Sequence, residues 1–366
     1  MSTDWEGIYG QKKVIKILEG FVASERKPQA LIFNGSNGVG KDFIASRFSF
    51  LLNKSFLSEN VENRFSEPTM KFIFPLPKGK GEESHHSPYE KLSESQLKNV
   101  KSELLKKKKN PYYNIDIEDA NVIKINSIRE INKFITQTSS NLNYRTVLIS
   151  NAHLMSDEAQ NALLKSLEEP PPGIIFVLTT DRIQLLKETI LSRCWQINFQ
   201  PLEHQELEDI LTNYFNFDSQ TLSEIIPFCE GSVRHALNLL ENDFLFIKEK
   251  AITILRHSMA SKFHTSIKEI SYFLKDGMES SFHLLLKVIL YWLNEVVKHR
   301  NQINVQYFID DINTFEKFNS KYSDVDINKC ISRIENLFYL SENTNVNKSI
   351  IANNIITQLS LITDLK

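Results

Sequence analysis

The stretch GSNGVGKDF places glycines at 35, 38 and 40 ahead of Lys41, directly after the apolar run ALIFN. Gly35, Gly38 and Gly40 let backbone N–H groups approach phosphate oxygens, and the N-terminus of a following helix favours an anion. Lys41 is spaced to reach β- and γ-phosphates. The pattern then departs from that of a hydrolytic loop. Position 42 is Asp, where a Ser or Thr hydroxyl would ligand Mg²⁺. A carboxylate there sets negative charge beside the phosphates and repels them, unless it binds a metal directly. A glycine-rich turn with no ligand is the plain structural alternative.

A second signal weakens the case for hydrolysis. A nucleotide hydrolase of this type ends a later strand in Asp-Glu, one residue holding Mg²⁺ through water and the other polarising the attacking water. Here the strand VLISNAHLMS carries Ser150 and Asn151 at those positions. Asn orients a water but is a very poor base. Positions 42, 150 and 151 are thus all altered, which suggests that hydrolysis has been given up. A third signal is Arg193 in TILSRCW, after a helical segment and before a strand. An Arg at the rim of an α/β domain can stabilise charge on a neighbour's γ-phosphate. A surface ion pair with a local carboxylate is its ordinary use.

The elements that must position these residues alternate strand and helix in the first half of the chain. ALIFN (30–34), RTVLIS (145–150), IIFVLTT (174–180) and CWQINF (194–199) read as strands, and YNIDI (113–117) as a further one. Helical periodicity marks 41–52 and 126–139, and SDEAQNALLKSLEE (156–169) opens with a Ser cap and an acidic first turn. Buried strands separated by helices predict a parallel sheet covered on both faces. After Pro201 the strands stop. Residues 203–241 hold about three short helical segments, broken near Pro227 and Gly231, and apolar residues recur at helical spacing from about 244 onward. The fold class is therefore α/β plus all-α.

Residues 53–112 read as an insertion, partly mobile, ending in a helix that closes on the lysines of KKKKN (106–110). These read as a solvated helix end, suited to a helix C-terminus, with DNA contact as the rival use. His85 and His86 read as a solvated loop. The formal net charge of −2 gives no global basic character. Three widely spaced cysteines, Cys194, Cys229 and Cys330, argue against a disulfide framework or zinc cluster and suggest a reducing cytosol. No signal core or membrane-spanning run stands out in the sequence.

GVGK, AQNALLKSLEEPPPGIIFVLTT and ILSRC, in this order and spacing, resemble bacterial clamp-loader subunits of the DNA polymerase III holoenzyme, members of the AAA+ family. The resemblance covers about residues 5–201, continues more weakly through GSVRHALNLLE (231–241), and beyond rests on helical character alone. It implies an AAA+ α/β domain over 1–201, a helical lid over 202–243 and a helical oligomerisation collar over 244–366. It implies that Arg193, in the Ser192-Arg193-Cys194 motif, is a finger supplied in trans to a neighbouring ATP site. Thr179 and Thr180 fall at the sensor 1 region and Arg234 at sensor 2, where ordinary packing explains them as well. The partners implied are gamma/tau and delta subunits and, through the complex, the sliding clamp and primer-template DNA, in the cytoplasm. Many family members carry a four-Cys zinc module after the first helix, but residues 53–112 contain no Cys. That module is replaced, and no zinc is expected. A delta-prime-type subunit keeps the finger and loses ATP chemistry, and this chain matches that pattern. A gamma/tau-type motor that tolerates Asp42 and Asn151 is the alternative. ATP or ADP held without turnover remains open, and no cofactor is required.

Overall fold

The computed structural model describes residues 5–54, 64–136, 142–344 and 346–364. Two compact units emerge: residues 1–219 with 230–235, and residues 220–229 with 236–366. The first is built on five parallel strands, β1 (Ala30–Asn34), β2 (Met70–Ile73), β3 (Arg145–Ile149), β4 (Ile174–Thr180) and β5 (Trp195–Asn198). Their order in the sheet is β2-β3-β4-β1-β5, with every neighbouring pair parallel. β3 and β4 are buried at every residue, which suits apolar runs without alternation in a sheet covered on both faces. β5 lies at an edge and leaves Trp195 66% exposed.

Helices α1 (Lys12–Ala23), α2 (Lys41–Leu51), α3 (Glu94–Lys109), α4 (Ile125–Thr136), α5 (Asp157–Glu168), α6 (Glu188–Leu191) and α7 (His204–Phe215) complete most of this unit. One face of the sheet, with Ile32, Val147, Ile149, Phe176 and Leu178, packs on Ile128, Ile131 and Phe134 of α4 and on Ala159, Leu163 and Leu167 of α5. Ser156 caps α5, its Oγ accepting from the Ala159 N–H at 3.2 Å. The strand registers pair Asn34 with Thr180 and Ile149 with Leu178. The phosphate loop after β1, Ser150-Asn151 after β3 and the end of β4 therefore meet at one edge of the sheet.

Two readings of the sequence are corrected here. Residues 113–117 form no strand. Their alternation is satisfied by irregular backbone that α3 pins, Glu103 accepting from the Tyr113 hydroxyl at 2.7 Å and the Asp116 N–H at 3.1 Å. The missing strand is β2, inside the stretch read as an insertion. Residues 53–112 thus supply an edge of the sheet and α3, each with its own packing. Residues 55–63 of that stretch, and the expected helical residues 137–139, lie outside the described residues.

Short helices α8 (Ser219–Ile225) and α9 (Val233–Glu241) follow α7. The second unit is helical: α10 (Phe244–Met259), α11 (Phe263–Ser271), α12 (Glu279–Arg300), α13 (Ile312–Lys321), α14 (Ile327–Asn343) and α15 (Lys348–Asp364). Leu285, Ile289 and Leu293 of α12 are buried with Ile254 of α10, Ile334 of α14 and Ile355 and Leu359 of α15. Among the described residues no helix is long and apolar enough to cross a membrane.

Candidate functional site

The phosphate loop is folded onto its own chain. Lys41 opens α2, but its Nζ donates to the carbonyls of Gly35 and Ser36, both at 2.6 Å. The ammonium is thus spent inside the loop. Burial pushes its pKa down to about 8, although Asp42 and Asp181 act in the opposite direction.

Asp42 is the centre of the site. Its carboxylate accepts the Ser150 hydroxyl and the Thr179 hydroxyl, each at 2.9 Å, and lies 3.3 Å from Lys107 Nζ. Burial opposes its charge. Lys107, the two hydroxyls and Lys41 outweigh that and hold the carboxyl below its ordinary range. Lys107 is buried at the end of α3 and also donates to the Tyr113 carbonyl at 2.8 Å, with its Nζ 5.3 Å from the centre of the Phe65 ring. Burial lowers its pKa against the pull of Asp42. One of the four lysines read as a solvated helix end is therefore an interior counter-ion. Lys106, beside it, is exposed and pairs with Glu103 at 2.7 Å.

Together these groups narrow the site. The cavity bounded by Gly38, Gly40, Lys41, Asp42, Lys107 and Tyr112 holds about 30 Å³, room for roughly one or two waters and not for a chain of phosphates. A magnesium nucleotide does not fit the residues present. The position that would offer a hydroxyl to the metal is a carboxylate already engaged by three protein donors, and the lysine that would meet the phosphates is turned to its own carbonyls.

The glycines are retained for reasons other than phosphate. Gly38 and Gly40 have φ of +77° and +87°, in the region that favours glycine. A Cβ on Gly38 would sit 2.5 Å from the Arg234 backbone nitrogen, and one on Gly40 3.0 Å from the Tyr112 ring. At Gly35 the obstacle is the Phe199 carbonyl oxygen, at 2.7 Å. The loop is tied at this close approach, Gly38 accepting from the Val233 N–H at 3.2 Å and Asn37 from the Ser232 hydroxyl at 2.7 Å. Tyr112 is fixed in turn, its hydroxyl accepting from the Tyr9 N–H at 3.0 Å and its ring packing edge-on to Phe43 and Tyr214.

Strand geometry separates the two threonines. Successive side chains point to opposite faces. Thr179 reaches Asp42, whereas Thr180 lies 3.1 Å from His153 Nδ1 and accepts from the Arg182 N–H at 3.0 Å. Ser150 and Asn151 both line the narrow cavity, Ser150 as a donor to Asp42. Arg234 is exposed and lines an adjacent cavity of about 180 Å³ with Asp42, Asn114, Asp116 and Asn151. Lys107 and Tyr112 were missed in the sequence. A carboxylate at position 42 demands a buried cation, but nothing in the spacing says which lysine supplies it.

Arg193 stands outside this cluster. It follows α6, and its Nη2 pairs with Glu168 Oε1 at 2.7 Å while its Nη1 donates to the Thr189 carbonyl at 2.8 Å and to Ser192 Oγ at 3.2 Å. Cys194 is buried, which pushes its thiol up to about 12. His85 and His86 lie with ring centres 4.1 Å apart and tilted by 36°, His85 beside Glu83 and His86 beside Glu90, the His86 Nδ1 accepting from the Glu83 N–H at 2.9 Å. Among the described residues no group of three or more His, Cys, Asp or Glu is arranged to hold a metal ion.

Residues 83–203 match a family described as DNA polymerase III, delta subunit. A DNA polymerase III subunit gamma from Buchnera aphidicola subsp. Schizaphis graminum is 38% identical over 133 residues, covering 35% of this chain and 37% of that protein. The subunit gamma of Buchnera aphidicola subsp. Acyrthosiphon pisum is 28% identical over 240 residues, covering 64% of this chain and 57% of that protein. The subunit tau of Escherichia coli is 32% identical over 132 residues, 35% of this chain and 20% of its own length. The chain thus spans between 20% and 57% of the length of these relatives. A solved Thermotoga maritima structure described as a DNA polymerase III gamma subunit-related protein aligns over 96% of this chain and 98% of its own, at 16% identity and a TM-score of 0.41. In sequence, this chain is similar to DNA polymerase III clamp-loader subunits.

Proposed function

We propose that the chain is a clamp-loader subunit of DNA polymerase III, acting in DNA replication, whose own phosphate loop does no ATP chemistry. The observation that carries this is the Asp42 carboxylate, engaged by Ser150, Thr179 and Lys107. With no carboxylate at 150 or 151, nothing at the end of β3 is suited to hold magnesium or to take a proton from water. This is the delta-prime-type reading. Its partners are gamma/tau-type and delta-type subunits, with the sliding clamp and primer-template DNA reached through the complex in the cytoplasm, and residues 244–366 forming the collar. The chain itself requires neither nucleotide nor zinc. Arg193 exchanges Glu168 for the γ-phosphate of a neighbouring subunit, where a planar, permanent charge suits the phosphate oxygens.

A second reading, the gamma/tau-type motor, is favoured by the names of the curated relatives that the chain matches. Magnesium-dependent ATP turnover by the isolated chain separates the two. The delta-prime-type reading expects a rate no higher than that of a Lys41→Ala variant. Turnover on the order of one per second would establish the motor. Reconstitution with gamma/tau-type and delta-type subunits then tests the finger. A finger is typically worth roughly 10³–10⁵ in rate at its own site, less in a ring whose other sites continue to work. Arg193→Ala is expected to assemble normally and lower the DNA- and clamp-stimulated ATPase, with Arg193→Lys rescuing poorly. Wild-type rates with the Ala variant would remove the finger role, and failure to co-purify with any loader subunit would remove the assembly itself.

A further inference from the structure

The cation beside Asp42 comes from a helix remote in sequence, and that helix also carries the group that covers the loop. Lys107 lies in the last turn of α3, and Asn110, Tyr112 and Tyr113 follow in the turn that leaves the helix. Asn110 Nδ2 donates to the Tyr214 carbonyl at 3.0 Å, and its Oδ1 accepts from the Tyr112 N–H at 3.0 Å. The Tyr113 carbonyl takes the Lys107 ammonium, and the Tyr112 ring lies against Gly40. Lys107 and the ring that fills the loop therefore belong to one short segment, and Asp42 is the charged point at which that segment is fastened to the loop.

We propose that α3 and the turn after it are an internal latch on the phosphate loop. Lys107 supplies from within the chain the cation that the carboxylate at 42 requires, and replacing the pair by uncharged residues opens the loop to a nucleoside triphosphate. A buried carboxylate with its cation removed is strongly unfavourable, as is the converse, so neither member can be lost alone without a penalty. Loss of both removes this charged fastening and leaves the glycines and the α2 N-terminus in place, with Lys41 able to exchange the Gly35 and Ser36 carbonyls for phosphate oxygens. Reopening gives binding without turnover, because Ser150 and Asn151 still lack the carboxylates that hydrolysis needs.

The latch deepens the reading that this loop does no ATP chemistry. It is tested on the isolated full-length chain, so its failure is distinguishable from failure of the clamp-loader assignment, which reconstitution reads. Calorimetric titration with Mg-ATP, Mg-ADP and inorganic phosphate is applied to the wild type, to Asp42→Ser/Lys107→Met and to the isosteric Asp42→Asn/Lys107→Met, each checked for folding by circular dichroism. The wild type is expected to give no saturable heat at millimolar ligand. At least one folded double variant is expected to bind Mg-ATP roughly tenfold or more tighter than the wild type, with turnover still at background. A folded double variant that binds no better than the wild type overturns the latch, as does saturable Mg-ATP binding by the wild type. If neither double variant folds, hydrogen exchange on the wild type decides. Residues 38–42 and the last turn of α3 are expected to exchange as one unit, unchanged by Mg-ATP, and independent exchange of the two overturns the proposal.

Discussion

Two ion pairs in the α/β unit invert the usual expectation from distance. Arg193–Glu168 is the shorter, at 2.7 Å, but its side chains are 34% and 50% exposed. Lys107–Asp42 is longer, at 3.3 Å, with side chains 4% and 17% exposed. The exposed pair exchanges partners at little cost, since water and salt screen it and its worth is about 0–1 kcal/mol. The buried pair is held by two hydroxyls and a backbone carbonyl and has no substitute when a member is lost. The difference teaches where this unit is fixed and where it is free. The loop around Asp42 is the fixed part, and the exposed Arg193 at the rim is the part held only by a surface pair.

The comparison breaks most visibly at Lys107. Lys107→Ala leaves the Asp42 carboxylate buried without its cation and is expected to lower stability by about 3–5 kcal/mol, read as a shift in denaturation midpoint. A loss below about 1 kcal/mol would mean that the pair is solvated in solution. Next come the glycines. Gly38→Ala carries the penalty of a left-handed backbone, about 1–3 kcal/mol, and also drives a Cβ to 2.5 Å from the Arg234 nitrogen. Gly81→Ala, at φ +69° with open space around it, carries the backbone penalty alone. Equal losses at the two sites would show that the close approach at Gly38 relaxes freely.

Acid sharpens the contrast further. The lowered pKa of Asp42 means that its contribution is fully present above the ordinary carboxylate pKa of about 4 and is lost as pH falls through the lower folded value. Asp42→Asn, weaker at neutral pH, is expected to lose less of its remaining stability between about pH 5 and pH 2 than the wild type does. Parallel pH profiles would assign acid sensitivity to other carboxylates. The smallest effect belongs to the rim: Glu168→Ala is expected to change stability by less than about 1 kcal/mol. A larger loss would make that pair a structural tie and weaken the case for an Arg193 able to change partners.

Much of this was legible because it is local. Glycine spacing, the apolar run of β4, the Ser cap of α5 and the breaks near Pro227 and Gly231 are each written within a few residues, and the structure carries them at those places. β2 was not legible. Its four residues are bounded by an irregular stretch and followed closely by Pro75, so their strand character comes from pairing with β3. YNIDI failed in the opposite sense, since local alternation is satisfied without a sheet. Lys107 was hidden by its company: four lysines at a helix end suggest solvent, and only the tertiary fold shows that the second of them turns inward to Asp42. Thr179 and Thr180 fell in the same motif, and the pleat alone decides which of them touches the site.

The close approaches around Gly35, Gly38 and Gly40, together with the Asp42–Lys107 pair, tie this loop to its neighbours so that single substitutions do not release it. Restoring a hydroxyl at position 42 alone would strand the Lys107 charge in the interior, and removing Lys107 alone would strand Asp42. Every one-step change of this pair passes through a weakened chain. Descendants of this sequence are therefore expected to keep the glycines, Ser150 and the Asp42–Lys107 pair together, because each holds a neighbour that the others need.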